Sequence, residues 1–264
     1  MLALAAMLTG VGCSIVVDTD GLSGGSSGTP VVSPESGADA LADVATDTSK
    51  IDGSPPIDAG DPTLVGDWPF DEGSGTKIHD RSGHAHDGVA AGGTWVDDHA
   101  SQPASALRLG GGSAFVSIEP HADFDRPASA RLTLVAWMRS NEEPAHNMFF
   151  SVSFGETEQS YGIELITPTQ LTYWDGTEHR AVATIAAIGM GWHHYGVVVE
   201  DENVRIYFDG VRVSDGRVDM TPRRSTQVLL GRSTFGDRLN GALDKMRYYR
   251  RALTDAEIVA EKNR

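Results

Sequence analysis

From residue 63 onward, short apolar runs alternate with polar positions, and Gly, Asp or Asn closes most of them. Leu132–Met138 (LTLVAWM), Tyr161–Thr167 (YGIELIT), Trp192–Glu200 and Val204–Phe208 have the length and the β-branched or aromatic content of strands. Asp209–Gly210 joins VRIYF to VRV and predicts a two-residue hairpin, because such a turn needs positive φ and glycine accepts it. Gly110–Gly112 parts ALRL from AFVSI and reads as a sharp turn between strands. Only Thr254–Asn263 has a helical pattern. There Thr254 stands three residues before Glu257, the capping-box spacing, and Ile258 with Val259 supplies an apolar patch. No β-α-β alternation occurs, so the pattern predicts an all-β, two-sheet antiparallel sandwich ending in a short C-terminal helix.

Composition divides the chain. All 19 aromatic residues lie in 63–264, while residues 1–62 hold nine acidic side chains against Lys50 alone. Residues 14–62 are rich in Gly, Ser, Pro, Ala, Thr and Asp and bury too little apolar surface to offset chain entropy, which predicts a disordered tether. About 50 such residues reach on the order of 40 Å. Residues 1–13 are apolar up to the lone Cys13 and resemble a bacterial lipoprotein signal, whose cysteine carries the acyl chains. A cleaved secretory signal and an uncleaved anchor are the alternatives. Each implies export, to the cell envelope or beyond, with no membrane contact in the folded part. No apolar run reaches the roughly 20 residues of a comfortable span. With 37 acidic residues against 21 basic ones, a nucleic-acid partner is excluded, since phosphate contacts need clustered Lys and Arg.

Several motifs in 63–264 carry a family resemblance. Leu64-Val65-Gly66-Asp67-Trp68-Pro69-Phe70-Asp71-Glu72-Gly73-Ser74-Gly75 resembles the opening strand of laminin-G-like jelly rolls of the concanavalin A-like lectin/glucanase superfamily. Asp80-Arg81-Ser82-Gly83 with Asp87-Gly88, Trp192-His193-His194, Tyr207-Phe208-Asp209-Gly210, Leu230-Gly231-Arg232 and Gly241-Ala242-Leu243-Asp244 follow in that family's order, ending in Arg247–Leu253. The resemblance implies a jelly roll over 63–264. It also implies one structural Ca²⁺ held by Asp244, with carbonyl oxygens near Trp68–Phe70 and Gly110–Gly111.

Glycoside hydrolysis needs two carboxylates about 5–9 Å apart. No E-x-D-x-x-E run supplies them: Glu164 stands alone, Glu142-Glu143 precedes a proline, and Glu156 and Glu158 follow a glycine. The expectation is therefore a non-enzymatic, surface-tethered module recognising glycans or an envelope or extracellular protein. A divergent polysaccharide hydrolase or lyase is the alternative. Sugar sites pair an aromatic platform with flanking polar groups, a combination offered by Tyr173, Trp174 and Asp175 with His179 nearby. Alternation sends either Tyr173 or Trp174 inward. Trp137 and Trp192 read as core residues, Trp68 as packing at the sheet edge, and His193 as a packed, hydrogen-bonded histidine. His84 and His86 read as solvated loop residues, because no fourth metal ligand is visible beside them.

Overall fold

The computed structural model describes residues 60–110, 112–141, 147–154, 160–185 and 190–264. Cys13, almost all of the expected tether, Gly111, Glu142, Glu143, Glu156 and Glu158 lie outside the described residues.

In chain order the strands are β1 (Leu64–Trp68), β2 (Lys77–Ile78), β3 (Gly88–Ala91), β4 (Thr94–Val96), β5 (Ala106–Gly110), β6 (Phe115–Ile118), β7 (Arg131–Ser140) and β8 (Asn147–Ser153). Then come β9 (Ser160–Thr167), β10 (Gln170–Trp174), β11 (His179–Thr184), β12 (Trp192–Glu200), β13 (Asn203–Phe208), β14 (Val211–Arg217), β15 (Gln227–Leu230) and β16 (Asn240–Tyr249). Helix α1 (Asp255–Lys262) follows. The first sheet runs β14-β13-β12-β7-β16-β5-β4, with β1 on the same edge of β16 as β5. The second runs β11-β10-β9-β8-β15-β6-β3-β2, and every strand pairing is antiparallel. This is the expected sandwich. The glycine-rich segment after β5 carries the chain from one sheet to the other, since β5 and β6 lie in different sheets.

Period-two alternation builds the core. Leu132, Leu134, Ala136 and Met138 of β7 face inward and meet Phe150, Val152, Ile163, Leu165, Leu171 and Tyr173 of the second sheet. The outer face of the first sheet is also partly covered. Ile258 of α1 packs there on Val135, Val198, Tyr207 and Tyr249, so β7 is buried on both faces. Such strands read as continuous apolar runs, which is why LTLVAWM gave no clean alternation.

The local signals act as expected. Asp209 (φ 50°) and Gly210 (φ 79°) form the β13–β14 hairpin with both residues at positive φ. The Thr254 side chain accepts the Glu257 N–H, and the Glu257 carboxylate accepts the Thr254 N–H at 2.7 Å. Trp68, expected at a sheet edge, is instead fully buried. Its Nε1 donates to the His86 carbonyl at 2.8 Å, which satisfies the one polar atom an inward indole must bring with it.

Candidate functional site

The sheets place the expected ligand residues on opposite sides of β10. Tyr173 points inward, pairs with Ile163 and is fully enclosed, so its hydroxyl is pushed well above the usual tyrosine range by burial. Asp175 is also buried. Its carboxylate accepts from Thr177 N (2.9 Å), Thr177 Oγ1 (2.7 Å), Glu178 N (3.0 Å), Asp219 N (3.0 Å) and Arg180 Nε (2.6 Å). Burial alone raises its carboxyl, but these five donors outweigh it and hold the group down to about 2. Buried Arg126 braces the same turn by donating to the Asp175 carbonyl at 2.6 Å. Tyr173 and Asp175 are therefore scaffold, a correction to the expected ligand set: one is core by alternation, and the other uses its oxygens inside its own turn.

Trp174 and His179 stay together on the outer face. They are cross-strand partners on β10 and β11, with ring centroids 4.8 Å apart and planes at 70°. Glu164 projects from β9 onto the same face and brings Oε2 to 3.5 Å from His179 Nε2, too long for a well-made hydrogen bond. Ser151 of β8 completes a row with Gly162, Trp174 and His179 across four adjacent strands. Ser151 Oγ, Trp174 Nε1 and His179 Nε2 are buried with no hydrogen-bond partner. Buried polar atoms are normally satisfied, so three orphans beside one indole mark a place where donors and acceptors are held ready for something else. Among the described outward positions of β8 to β11 and β15, Glu164 is the one carboxylate.

Asp244 lies on the outer face of the first sheet, where β12, β7 and β16 set His194, Trp137 and Asp244 side by side. The β4–β5 connection lays His99 over the Trp137 indole, centroids 4.2 Å apart, and turns its Nδ1 to 2.6 Å from Asp244 Oδ2. Burial raises the Asp244 carboxyl above its usual range, with His99 opposing. Asp98 stands within ligand reach of both, but its Oδ1 already accepts Ala100 N and Gln102 N. Gly110 pairs with Asn240, about 13 Å along β16 from Asp244 at strand rise. This imidazole-bearing set does not fit the shell of six to eight oxygens expected for Ca²⁺. Asp244 Oδ1, Trp137 Nε1, Arg139 Nε and His194 Nδ1 are further buried orphans on this face.

Trp137 and Trp192, expected in the core, both point outward: Met138 and Tyr195 take the inward positions. Arg139 lies over the Trp192 ring at 5.1 Å. Of the two adjacent histidines, His194 is the deeper. Burial presses it down to about 3, whereas His193 sits at the rim with Nδ1 2.8 Å from Asp209 Oδ2. Asp98 and His99 escaped sequence reasoning because their partner Asp244 is 145 residues away from His99 and no local spacing marks the pair.

No curated protein matches the sequence. Among solved structures, the binding domain of Paraclostridial Mosquitocidal Protein 1 aligns at TM-score 0.57 and 16% identity over 76% of this chain and 52% of that one. The chain thus spans about half of that structure. Domain 4 of AbnA, a GH43 extracellular arabinanase from Geobacillus stearothermophilus, aligns at TM-score 0.56 and 18% identity, over 76% of this chain and 98% of that one. Trypanosoma rangeli sialidase aligns at TM-score 0.60 and 18% identity over 81% of this chain and 35% of that one. These likenesses concern the fold. The family model of the concanavalin A-like lectin/glucanases superfamily matches residues 110–259, more than half of the 264, and on that match the chain belongs to this superfamily.

Proposed function

We propose that this protein is a non-enzymatic binding module that takes a glycan on the outer face of its second sheet. One observation carries the reading: Trp174 is flanked by His179, Glu164 and Ser151, and three of the polar atoms there have no partner. An indole face stacks on the C–H face of a sugar ring, and donors and acceptors around it recognise hydroxyls. A likeness of fold adds support, since AbnA domain 4 was solved in complex with arabinotriose. The same reading holds the module at the cell envelope through an acylated Cys13.

A glycan array probed with the intact chain tests this. Binding to a defined set of oligosaccharides is expected, weakened at least tenfold in Trp174→Ala and little changed in Trp192→Ala. Equal binding by wild type and Trp174→Ala sinks the site. Release of shortened products from a bound oligosaccharide sinks the non-enzymatic reading and favours a hydrolase or lyase.

A further inference from the structure

A third cluster lies apart from both sheet faces. Three imidazoles converge on one carboxylate oxygen: His86 Nε2 is 2.9 Å, His121 Nδ1 3.1 Å and His84 Nδ1 3.3 Å from Asp123 Oδ2. One carboxylate oxygen offers about two lone-pair positions, so a third ring nitrogen is more than hydrogen bonding asks for. His121 Nδ1 accepts the Asp123 backbone N–H at 3.2 Å, so its lone pair is engaged within its own turn, and the ring stands beside the other three side chains.

The spacing suits a metal. In a tetrahedral site with bonds of about 2.0–2.1 Å, neighbouring donor atoms stand about 3.3 Å apart. The His84 and His86 separations from Asp123 Oδ2 lie within 0.4 Å of that edge, and the donor atoms of His84, His86 and Asp123 all fall within 4.8 Å of one another.

The surroundings hold these rings in place. His86 is buried, its ring packs 4.9 Å from Phe124, its N–H donates to Asp80 Oδ2 and its carbonyl accepts Trp68 Nε1. Asp123 sits in the short 3₁₀ turn Ala122–Phe124, whose Ala122 and Asp123 carbonyls both accept Arg250 Nη1 at 2.9 and 2.8 Å. Ser225 Oγ donates to the His121 carbonyl at 2.8 Å. Between the two loop histidines, Ala85 adopts φ 61°, a conformation that disfavours a side chain. Outer partners of this kind orient metal ligands.

We propose that His84, His86 and Asp123 bind a divalent transition ion of the zinc class, pinning the His84–His86 loop to the 121–123 turn and leaving a fourth position to solvent. Two imidazoles and one carboxylate favour such an ion over Ca²⁺ or Mg²⁺, which take oxygen shells.

The test adds Zn²⁺ to the tag-free, chelator-stripped intact chain and follows thermal unfolding and binding heat. A saturable rise in Tm of about 5 °C is expected at a hundredfold excess over Kd. Ca²⁺ and Mg²⁺ should give none. His84→Ala, which removes a partly exposed ring and leaves the fold standing, should weaken Zn²⁺ binding at least tenfold. His86→Gln and Asp123→Asn should do the same, while Asp98→Asn and His99→Gln leave it unchanged. The proposal is overturned if Zn²⁺ does not stabilise the protein, if His84→Ala binds it as wild type does, or if only the Asp98 and His99 variants lose it.

Discussion

His99 lies parallel to the Trp137 indole within 12°, on a strand face where its ring nitrogen reaches Asp244. The stack clamps the β4–β5 connection onto β7 and β16 through one aromatic surface and one charge-assisted bond.

Removing that bond with Asp244→Ala should lower stability by about 2 kcal/mol, the scale for a buried hydrogen bond that loses one partner. In a domain of this size that is roughly 4–8 °C in Tm. Because Asp244 serves His99, equal losses in calcium and in chelator are expected. A loss confined to calcium would return Asp244 to a cation.

Asp175 makes an acid-sensitive turn. Its carboxyl titrates at about 2 in the fold and at about 3.9 in an unfolded chain, so its contribution is complete above the unfolded value. As pH falls from about 4 toward 2 that contribution, about 2 kcal/mol, is lost. Asp175→Asn should be less stable at neutral pH and show a shallower acid limb. Parallel acid limbs for the two proteins would refute the assignment.

The His194 dependence begins nearer neutrality. Burial keeps it neutral in the fold down to about 3, while an unfolded histidine protonates near 6.5. The folded pKa is depressed, so its share of stability is present above pH 6.5 and lost as pH falls. By pH 5 the loss is about 2 kcal/mol. Urea titrations at pH 7 and pH 5 should differ more for wild type than for His194→Gln.

Ile258 anchors α1 on the outer face of the first sheet. Ile258→Ala should cost about 2–5 kcal/mol, as buried large-to-small changes do, and raise hydrogen exchange across α1. Exchange unchanged in 255–262 would show that the capping box alone holds the helix.

Cys13→Ala tests the proposed acyl attachment. In a bacterial host the wild type should sediment with membranes and incorporate labelled palmitate, and the variant should do neither. Membrane association that survives the substitution excludes acylation as the attachment.

Much of the fold was legible because its signals are local. The Asp209–Gly210 hairpin and the Thr254–Glu257 box depend on residues at most three apart, and length with β-branched and aromatic content identified β7, β9, β12 and β13. The sites were less legible. Of the four expected ligand residues, Trp174 and His179 remain on one surface, but Tyr173 and Asp175 are consumed by core and turn. Trp137 and Trp192 misled because covered outer faces erase the contrast between inside and outside. His121 and Asp123 lie more than 30 residues from His84 and His86 and meet them only through the fold.

The position of β1 has a mechanical consequence. Leu64 pairs with Tyr249 near the end of β16, Thr63 accepts Arg250 N–H, and Arg251 Nε grips Asp61 at 2.9 Å. Tension drawn on the chain ahead of Asp61 would therefore enter the first sheet at this pairing. The row of Ser151, Trp174 and His179 belongs to the other sheet, so such a load would meet the β1–β16 pairing before it reached the face proposed to take the glycan.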